Sequence, residues 1–371
     1  MQAKRNGYID IIKFLFAIII AEFHLGTGVF PGGRLAVEGF FMISGFLMMK
    51  SIEKSDESEG VGKSTVKFLF NKYKGLFFPL LLSALISYFV YSYTLDYNFG
   101  EMLKKGMLLF FEIIPLNTAG FKGTYVVGIS WYLSSMFIAL AILYPLTKKF
   151  KTGFTLVVCP LIVALGYGIL SAKYGDLAVG TSYIENTLLQ TGIIRALAGC
   201  ALGCLIYVIN KKLQEKEFTV FAKTVFTVLE LLGFALAFYL MHYLPKSRYD
   251  YLLVFVIFGL LIIGISGISY TSYLWNPKWT RFFGTASTLI VLNHYSFCVL
   301  LKYKLSHLEQ YQKIFIYIGL TVASCIVVYL LSILLKRLFE LLFQKKAVAK
   351  GARGKQSKIN KGHLSVSFLV N

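Results

Sequence analysis

Ionisable side chains are concentrated in one apolar segment near the start of the chain. This segment runs from Arg5 to His24 and includes Asp10, Lys13 and Glu22. An ionisable group in an apolar environment costs free energy unless it is paired, so such a cluster inside a membrane helix indicates a functional site. The imidazole group ionises near neutral pH, and it can accept a proton from a hydroxyl group with little change in its pKa. His24 is therefore a candidate for a general base.

A helix would place three of these side chains on nearly one line. Lys13 and His24 would differ by about 20° in azimuth and lie about 16 Å apart along the axis, with Asp10 within about 40° of the same line. A lone histidine in a membrane helix is more often a packing residue than a catalyst, but this polar stripe favours a functional role. Glu22 faces another side, and both acceptor binding and pairing at the outer boundary stay open for it.

The composition is typical of a membrane protein and excludes soluble enzymes, nucleic-acid-binding domains and secreted disulfide scaffolds. The chain has 371 residues, of which 57% are hydrophobic and 15% are charged, whereas about a quarter of the residues in soluble domains are charged. The five cysteines lie in apolar segments without CxxC spacing, so we expect buried thiols and no disulfide framework. The sequence also lacks HExxH and clustered His/Cys spacing, so we predict no metal site.

Apolar segments near the length that crosses a bilayer recur along the chain and predict an all-α transmembrane bundle. We predict ten spans, at residues 8–29, 36–50, 75–95, 128–147, 153–172, 188–209, 221–243, 250–269, 284–303 and 314–343. A further apolar segment, 104–116, is shorter and contains Glu112 and Pro115. These features favour an interfacial or re-entrant segment.

The distribution of basic residues predicts how the bundle is oriented. With ten spans and a cytoplasmic N-terminus, most of the 38 Lys and Arg residues fall on the cytoplasmic side, in agreement with the positive-inside rule. Counting 104–116 as a span would place most of the later basic residues outside. We therefore predict a multi-pass protein of the cell membrane with both termini in the cytoplasm. Residues 1–343 would form the membrane domain, and residues 344–371 a basic, disordered tail against anionic lipid headgroups.

The first two predicted spans carry a distinctive order of residues: Arg5-x4-Asp10-x2-Lys13-x10-His24, then Val37-Glu38-Gly39-Phe40-Phe41-x2-Ser44-Gly45-Phe46-Leu47. This order resembles the opening of the acyltransferase-3 family of integral-membrane acyltransferases. In that family a basic residue and a histidine lie ten intervening positions apart on the first span, and an acidic residue precedes FFxxSG on the second. The resemblance implies that His24 is the catalytic base. Two departures are mild, since Glu38 stands where Asp is commonest and Gly39 replaces an apolar residue.

A basic cluster ahead of the third span is also similar to the family. Lys72 and Lys74 precede Pro79, where the family often has Arg. Phosphate binding tolerates this change, although bidentate geometry would not. The two lysines are equally well explained as positive-inside anchors.

Three later segments resemble family motifs: Trp131-Tyr132-Leu133, Arg195 with Gly199 and Gly203, and Ser287 to His294. Ser134 and Ser135 stand where the family often has acidic residues, so the resemblance implies a divergent branch. A structural role for His294 is somewhat commoner for such a residue than a catalytic one.

The other polar residues of these motifs have physical constraints of their own. Phe41 and Ser44 belong to a motif that permits close helix approach and leaves room for a ligand chain, with ordinary packing equally possible. Glu38 is costly if unpaired, and a Lys or Arg from a neighbouring helix or a substrate hydroxyl would be a natural partner. Arg195 stays charged inside an apolar run, so it should find an anionic or carbonyl partner.

Together the residues and the resemblance predict a membrane-bound O-acyltransferase, chiefly an O-acetyltransferase. It would transfer an acyl group from cytoplasmic acyl-CoA (acetyl-CoA) to a hydroxyl of a cell-surface polysaccharide or lipid-linked glycan. The resemblance implies the CoA donor as cosubstrate, without a bound cofactor. We predict His24 as catalytic, and as substrate-binding residues Lys13, Asp10, Glu38, Phe41, Ser44, Lys72, Lys74, Arg195 and His294.

Two alternatives stay open at this point. The acyl group could be succinyl or another group, since the size of the pocket around the thioester cannot be read from the sequence. The same polar stripe could instead serve a transporter of a glycolipid or polyol, with His24 as a proton relay. The sequence contains no evident repeats, which weighs weakly against a transporter.

Overall fold

The computed structural model describes residues 5–120, 128, 130–177, 180–184, 189–244, 247, 249–275 and 277–366, with side chains as far as Leu342. Helix accounts for 84% of the chain, and the described residues form no strand. The prediction of an all-α fold is confirmed. The helices are α1 (Gly7–Leu25), α2 (Ala36–Glu53), α3 (Val61–Thr94), α4 (Phe99–Leu108), α5 (Phe110–Ile113), α6 (Ser130–Gly153), α7 (Cys159–Tyr174), α8 (Thr191–Gln214), α9 (Val220–Tyr243), α10 (Asp250–Ser266), α11 (Pro277–Tyr303) and α12 (Gln310–Val366).

Seven helical segments of the described residues are long and apolar enough to cross a membrane: Pro31–Glu53, Val61–Thr94, Ser130–Tyr174, Thr191–Gln214, Val220–Tyr243, Pro277–Tyr303 and Gln310–Leu342. Each of the ten predicted spans overlaps a long helix, and the difference between seven and ten has three physical sources. Ser130–Tyr174 contains both α6 and α7, with a non-helical conformation at Lys151 near the end of α6 and the π-helical segment Phe154–Val158 between the two helices. The apolar helix α10 has only 17 residues, and α1 carries three charged residues. The number of crossings stays a prediction.

The first helix runs in the same direction as α11. Phe14 of α1 packs against Phe283, and further along His24 contacts His294. The residue numbers rise together along both helices, so the pair is parallel. Parallel neighbours fit the prediction that α1 and α11 enter the membrane from the same side.

A second parallel pair, α2 and α8, bears on segment 104–116. Glu38 pairs with Arg195 near the beginning of both helices, and Glu53 pairs with Lys211 near their ends. Three long helices, α3, α6 and α7, lie between them in the chain, and an odd number of single crossings gives parallel neighbours. Residues 104–116, which contain parts of the short helices α4 and α5, would have made this number even. The packing therefore supports the prediction that this segment is not a span.

Glycines allow α2 and α8 to approach closely. A Cβ atom on Gly45 would lie 2.0 Å from the carbonyl oxygen of Cys200, and one on Gly203 would lie 2.0 Å from that of Met42. Because no side chain fits at either position, the two backbones meet directly. The small residue of the FFxxSG motif thus serves helix packing.

The end of α1 fixes the position of His24. Gly26 ends the helix in the left-handed conformation, with φ at +75°, which glycine adopts without steric cost. The carboxylate of Glu22 then accepts the backbone N–H groups of Val29 and Phe30, at 3.1 and 2.9 Å. Glu22 therefore organises the loop after α1, a role that differs from both of the alternatives considered for it.

The final helix continues beyond the predicted membrane domain. α12 extends to Val366, whereas the sequence predicts a disordered tail from residue 344. The segment between these positions contains no proline, and its six lysines and three alanines favour helix whereas its three glycines oppose it. The division of the chain at residue 343 stays a prediction.

Candidate active site

Two histidines meet where α1 and α11 lie side by side. The Nδ1 atom of His24 is 3.0 Å from Nε2 of His294, and the ring centroids are 5.1 Å apart. Tyr295 packs edge-on against the His24 ring at 5.1 Å. His294 is fully buried, whereas His24 is partly exposed. The structure thus brings together two candidates that lie in distant parts of the sequence.

The hydrogen bonds of His294 define which nitrogen of His24 carries the proton. Nδ1 of His294 lies 2.9 Å from the carbonyl oxygen of Ile290 and 3.0 Å from that of Val291. A carbonyl oxygen only accepts, so Nδ1 of neutral His294 is the donor and its Nε2 is an acceptor. His24 must then donate from Nδ1 to that nitrogen. In a neutral His24 ring, Nε2 is then the unprotonated nitrogen.

A cavity of about 200 Å³ opens beside His24. Its polar lining comes from His24, Arg34, Tyr132, Thr181 and Arg195, and its aromatic lining comes from Phe23, Phe40 and Trp131. Pockets that enclose drug-sized ligands usually measure roughly 300–1,000 Å³. This cavity is therefore large enough for a small acyl group and a reacting hydroxyl, and too small for an oligosaccharide.

Arg195 forms a buried ion pair with Glu38 at this cavity. Nε of Arg195 lies 2.7 Å from Oε1 of Glu38, and the hydroxyl of Tyr167 donates to Oε2 at 2.6 Å. The guanidinium carbon is 5.3 Å from the centre of the Trp131 ring, within the range of a cation–π contact. Both charged groups expected to need partners are thus paired, and Arg195 is held rigidly with one face toward the cavity.

A glycine in the Arg195 motif makes room for this pair. A Cβ atom on Gly199 would lie 2.6 Å from Cβ of Phe41 and 3.2 Å from Oε2 of Glu38. Phe41 is fully buried, and its ring packs 4.9 Å from Tyr132. Phe41 therefore supports the cavity wall and does not line the cavity itself.

A second buried ion pair at the cavity was missed by the sequence analysis. Nη2 of Arg34 lies 2.7 Å from Oδ1 of Asp250, and both side chains are almost fully buried. Oδ2 of Asp250 also accepts the backbone N–H of Leu177 at 3.1 Å. This pair ties the loop after α1 to the beginning of α10. The signal in the sequence is weak, because Arg34 lies in a connecting segment and Asp250 at the boundary of an apolar run.

Lys13 and Lys72 form a cationic pair nearer the cytoplasmic half of the predicted span. Both side chains are partly buried, and their charges are close enough to repel each other. Asp10 attracts Lys13, but its two oxygens accept from Nε and Nη2 of Arg5 at 2.6 and 2.7 Å. Among the described residues no carboxylate forms an ion pair with either lysine. Two cations in this arrangement favour an anionic ligand between them.

Three further predicted substrate-binding residues also do not line the cavity. Asp10 faces α11, where a Cβ atom on Gly284 would lie 2.1 Å from its Oδ1. Lys74 is exposed. The hydroxyl of Ser44 donates to the sulfur of Met136 at 3.2 Å, which favours the packing alternative for this residue.

The segment before α6 packs over the Trp131 motif. The hydroxyl of Ser134 is 3.0 Å from the backbone nitrogen of Thr118 and 2.7 Å from the hydroxyl of Thr118, and Asn117 donates to Ser130 at 2.6 Å. These serines therefore hold the 117–118 turn against α6. Residues 121–127, which complete this connection, lie outside the described residues.

The described residues also bring together no three His, Cys, Asp or Glu side chains as metal ligands would be.

Comparison with known families agrees with this geometry. The family model Acyl_transf_3, described as an acyltransferase domain, matches residues 6–337, nearly the whole chain. No curated protein and no solved structure matches the chain. The match confirms the resemblance seen in the first two spans and covers all the helices that form the cavity. The chain belongs to the acyltransferase-3 family of membrane acyltransferases.

Proposed function

We propose that this protein transfers an acetyl group from cytoplasmic acetyl-CoA to a hydroxyl of a cell-surface polysaccharide or lipid-linked glycan, with His24 as general base. The observation that carries the proposal is the contact of His24 Nδ1 with His294 Nε2 beside a small cavity that His24 lines. Membership of the acyltransferase family supports the reaction class, and makes the transporter alternative the weaker one. The acyl-CoA is a cosubstrate, and the scheme uses no bound cofactor.

In this scheme His24 activates the acceptor hydroxyl. The hydroxyl oxygen attacks the thioester carbonyl carbon while its proton moves to Nε2 of His24. When the tetrahedral intermediate collapses, the carbon–sulfur bond breaks and the thiolate of CoA takes the proton from His24. The products are the O-acyl ester and CoA with a free thiol. His294 holds the ring of His24 through Nδ1 and keeps its tautomer in the form that accepts a proton.

Arg195 is the group best placed to stabilise the developing oxyanion. Its guanidinium lines the cavity that contains His24, while Glu38 and Trp131 hold it in place. A fixed donor in a water-poor site stabilises a developing negative charge more than water does, because the donor does not have to reorganise. Glu38 and Trp131 therefore position Arg195.

The donor approaches from the side of Lys13 and Lys72. The two lysines lack ion-pair partners among the described residues, so they suit the phosphates of CoA. His24 lies 11 residues beyond Lys13 on α1, or about 16 Å along the axis. In this arrangement the pantetheine arm spans that distance and delivers the thioester to the cavity. The cavity volume of about 200 Å³ suits a small acyl group such as acetyl.

The test is acetyl transfer by protein held in nanodiscs, with acetyl-CoA as donor and a surface-glycan extract of the host as acceptor. We expect acetyl ester formation by the wild type and a loss of about 10²-fold or more in His24→Ala, because general bases contribute 10²–10⁴-fold. His307→Ala is the matched control, since His307 is exposed and distant from the cavity. Its activity should equal that of the wild type.

Two results would contradict the proposal. If the wild type neither binds CoA nor acetylates the extract, while His24→Ala abolishes proton-coupled uptake of a glycolipid or polyol, the protein is a transporter. If His24→Ala transfers acetyl groups as well as His307→Ala, His24 is not the base.

A further inference from the structure

A second and larger cavity lies at the opposite end of the bundle from His24. It is formed by the beginnings of α1 and α11, the ends of α2, α8 and α10, and the turn at 270–275, and its volume is about 580 Å³. We call it the basal cleft. In the predicted orientation these helix ends lie at the cytoplasmic face of the membrane.

The polar lining of the basal cleft includes two cations and several neutral polar groups. Arg5 and Lys50 supply positive charge, and Gln214, Ser272 and Trp275 supply neutral polar groups. None of the residues that line the cleft is an acid. Such a lining favours a ligand that presents anionic oxygens.

Three donors in the cleft have unused capacity among the described residues. Lys50 forms no ion pair, and its nearby acid Glu53 already binds Lys211 and Tyr207. The indole N–H of Trp275 is buried and has no hydrogen-bond partner. Arg5 uses Nε and Nη2 for Asp10, which leaves Nη1. A buried indole N–H without an acceptor is costly, so binding of an acceptor oxygen there should lower the free energy of the site.

The cleft does not lead to His24. The ring of Tyr8 fills the space above it, where a Cβ atom on Gly264 would lie 2.0 Å from the ring, and its hydroxyl donates to the carbonyl of Leu260 at 3.0 Å. A ligand in the cleft is therefore separated from the reacting groups. This packing argues against the cleft as the place where the thioester of the donor enters.

The surroundings of the cleft are typical of a membrane interface. Tyr273, which lines it, is 77% exposed, and the neighbouring Leu274 and Phe282 are 60% and 71% exposed. Exposed aromatic and apolar side chains beside cations occur where a protein meets lipid headgroups. Basic pockets between transmembrane helices on the cytoplasmic side bind anionic headgroups.

We propose that the basal cleft binds the phosphate headgroup of an anionic phospholipid, with Lys50 and Arg5 on the phosphate and Trp275 donating to one of its oxygens. The acyl chains would leave past Tyr273 and lie against the apolar surface. This site is independent of the proposed acyl transfer, so either proposal can fail without the other.

The test is native mass spectrometry of the full-length protein with phosphatidylglycerol, with phosphatidylcholine and with adenosine 3′,5′-diphosphate as separate probes. We expect retained phosphatidylglycerol on the wild type and about tenfold weaker binding to Lys50→Gln, since loss of one charge-assisted contact changes affinity by about this factor. Trp275→Phe should weaken binding by less. The matched control is Lys54→Gln, because Lys54 is exposed on the same helix end and does not line the cleft.

Three results would overturn this proposal. The first is equal retention of phosphatidylglycerol and phosphatidylcholine. The second is equal loss of binding in Lys50→Gln and Lys54→Gln. The third is that the protein retains no lipid but binds the nucleotide, and that Lys50→Gln weakens this nucleotide binding. The cleft would then be a nucleotide site.

Discussion

The two ends of α1 differ in how their ionisable side chains are bonded. At its beginning, Asp10 and Arg5 neutralise each other through two hydrogen bonds. At its end, His24 contacts His294 through Nδ1 and lines a cavity. Both side chains face α11, as their alignment along the helix predicts.

An ionisable residue in a membrane helix therefore indicates a functional site only when its hydrogen bonds and ion pairs are known. Both carboxylate oxygens of Asp10 are engaged by Arg5, so Asp10 has little capacity left for a ligand. His24 has one nitrogen engaged by His294 and the other available, which is what a base requires. The Glu38–Arg195 pair is neutralised like Asp10 and Arg5, yet Arg195 still lines the cavity as His24 does.

The largest effect on stability should come from breaking the buried pair at the cavity. In Glu38→Gln the guanidinium of Arg195 would stay buried without a counter-charge, so the free energy of unfolding should fall by about 3–5 kcal/mol. Glu53→Gln is the matched control, because it removes an exposed partner of Lys211 and should cost about 1 kcal/mol or less. Thermal unfolding in one detergent measures both, and equal effects would contradict the difference between the two pairs.

The sequence predicted the members of the cavity pair but not their geometry. Glu38 and Arg195 were each expected to need a partner, since an unpaired charge in an apolar run is costly, and the structure pairs them. The contact of His24 with His294 was not predictable, because nothing in either helix specifies which distant helix lies beside it. The same reason explains why Arg34 and Asp250 were missed.

Local packing explains why Ser44 and Lys74, which the sequence predicted to bind substrate, do not line the cavity. Ser44 belongs to a motif associated with function by resemblance, yet it bonds to Met136 beside a close helix contact. Lys72 and Lys74 were equivalent in the sequence, and only the turn of α3 distinguishes the partly buried lysine from the exposed one. Fold class depends on apolar periodicity and is readable, whereas the direction of single side chains depends on tertiary packing.

The next largest effect should come from removing the residue that orients His24. His294→Leu offers no acceptor for Nδ1 of His24, so kcat should fall by about tenfold or more, though less than in His24→Ala. His294→Gln retains an amide oxygen that can accept this hydrogen bond and should recover part of the loss. The pH dependence of kcat separates this role from mere packing, because only a change of tautomer or basicity would shift the profile. An unchanged profile with equal losses in both variants would contradict the positioning role.

A moderate effect on donor affinity distinguishes the two lysines of α3. Lys72→Gln should raise the KM for acetyl-CoA about tenfold and leave kcat nearly unchanged, as expected for the loss of a charge-assisted bond to phosphate. Lys74→Gln should stay close to the wild type, because Lys74 is exposed. Steady-state kinetics with varied acetyl-CoA measures both constants. If the two variants behave alike, the cationic pair does not bind the donor.

The smallest effect should be at the beginning of α1. Asp10→Asn removes one partner of Arg5, but the Arg5 side chain is 40% exposed and can turn to water. The cost should be about 1 kcal/mol or less, with activity within about threefold of the wild type. Acetyl transfer and thermal unfolding measure these changes. A loss of activity as large as that of His24→Ala would erase the distinction between the two ends of α1.

The most direct test is the protonation of the His24 ring, observed by solid-state NMR of protein with ¹⁵N-labelled histidine in lipid. The chain has five histidines, and the His24→Gln and His294→Gln variants assign the two signals of interest. At neutral pH we expect His24 with a protonated Nδ1 and an unprotonated Nε2, and a coupling between Nδ1 of His24 and Nε2 of His294. A His24 ring protonated at Nε2, or one with no coupling to His294, would contradict the account.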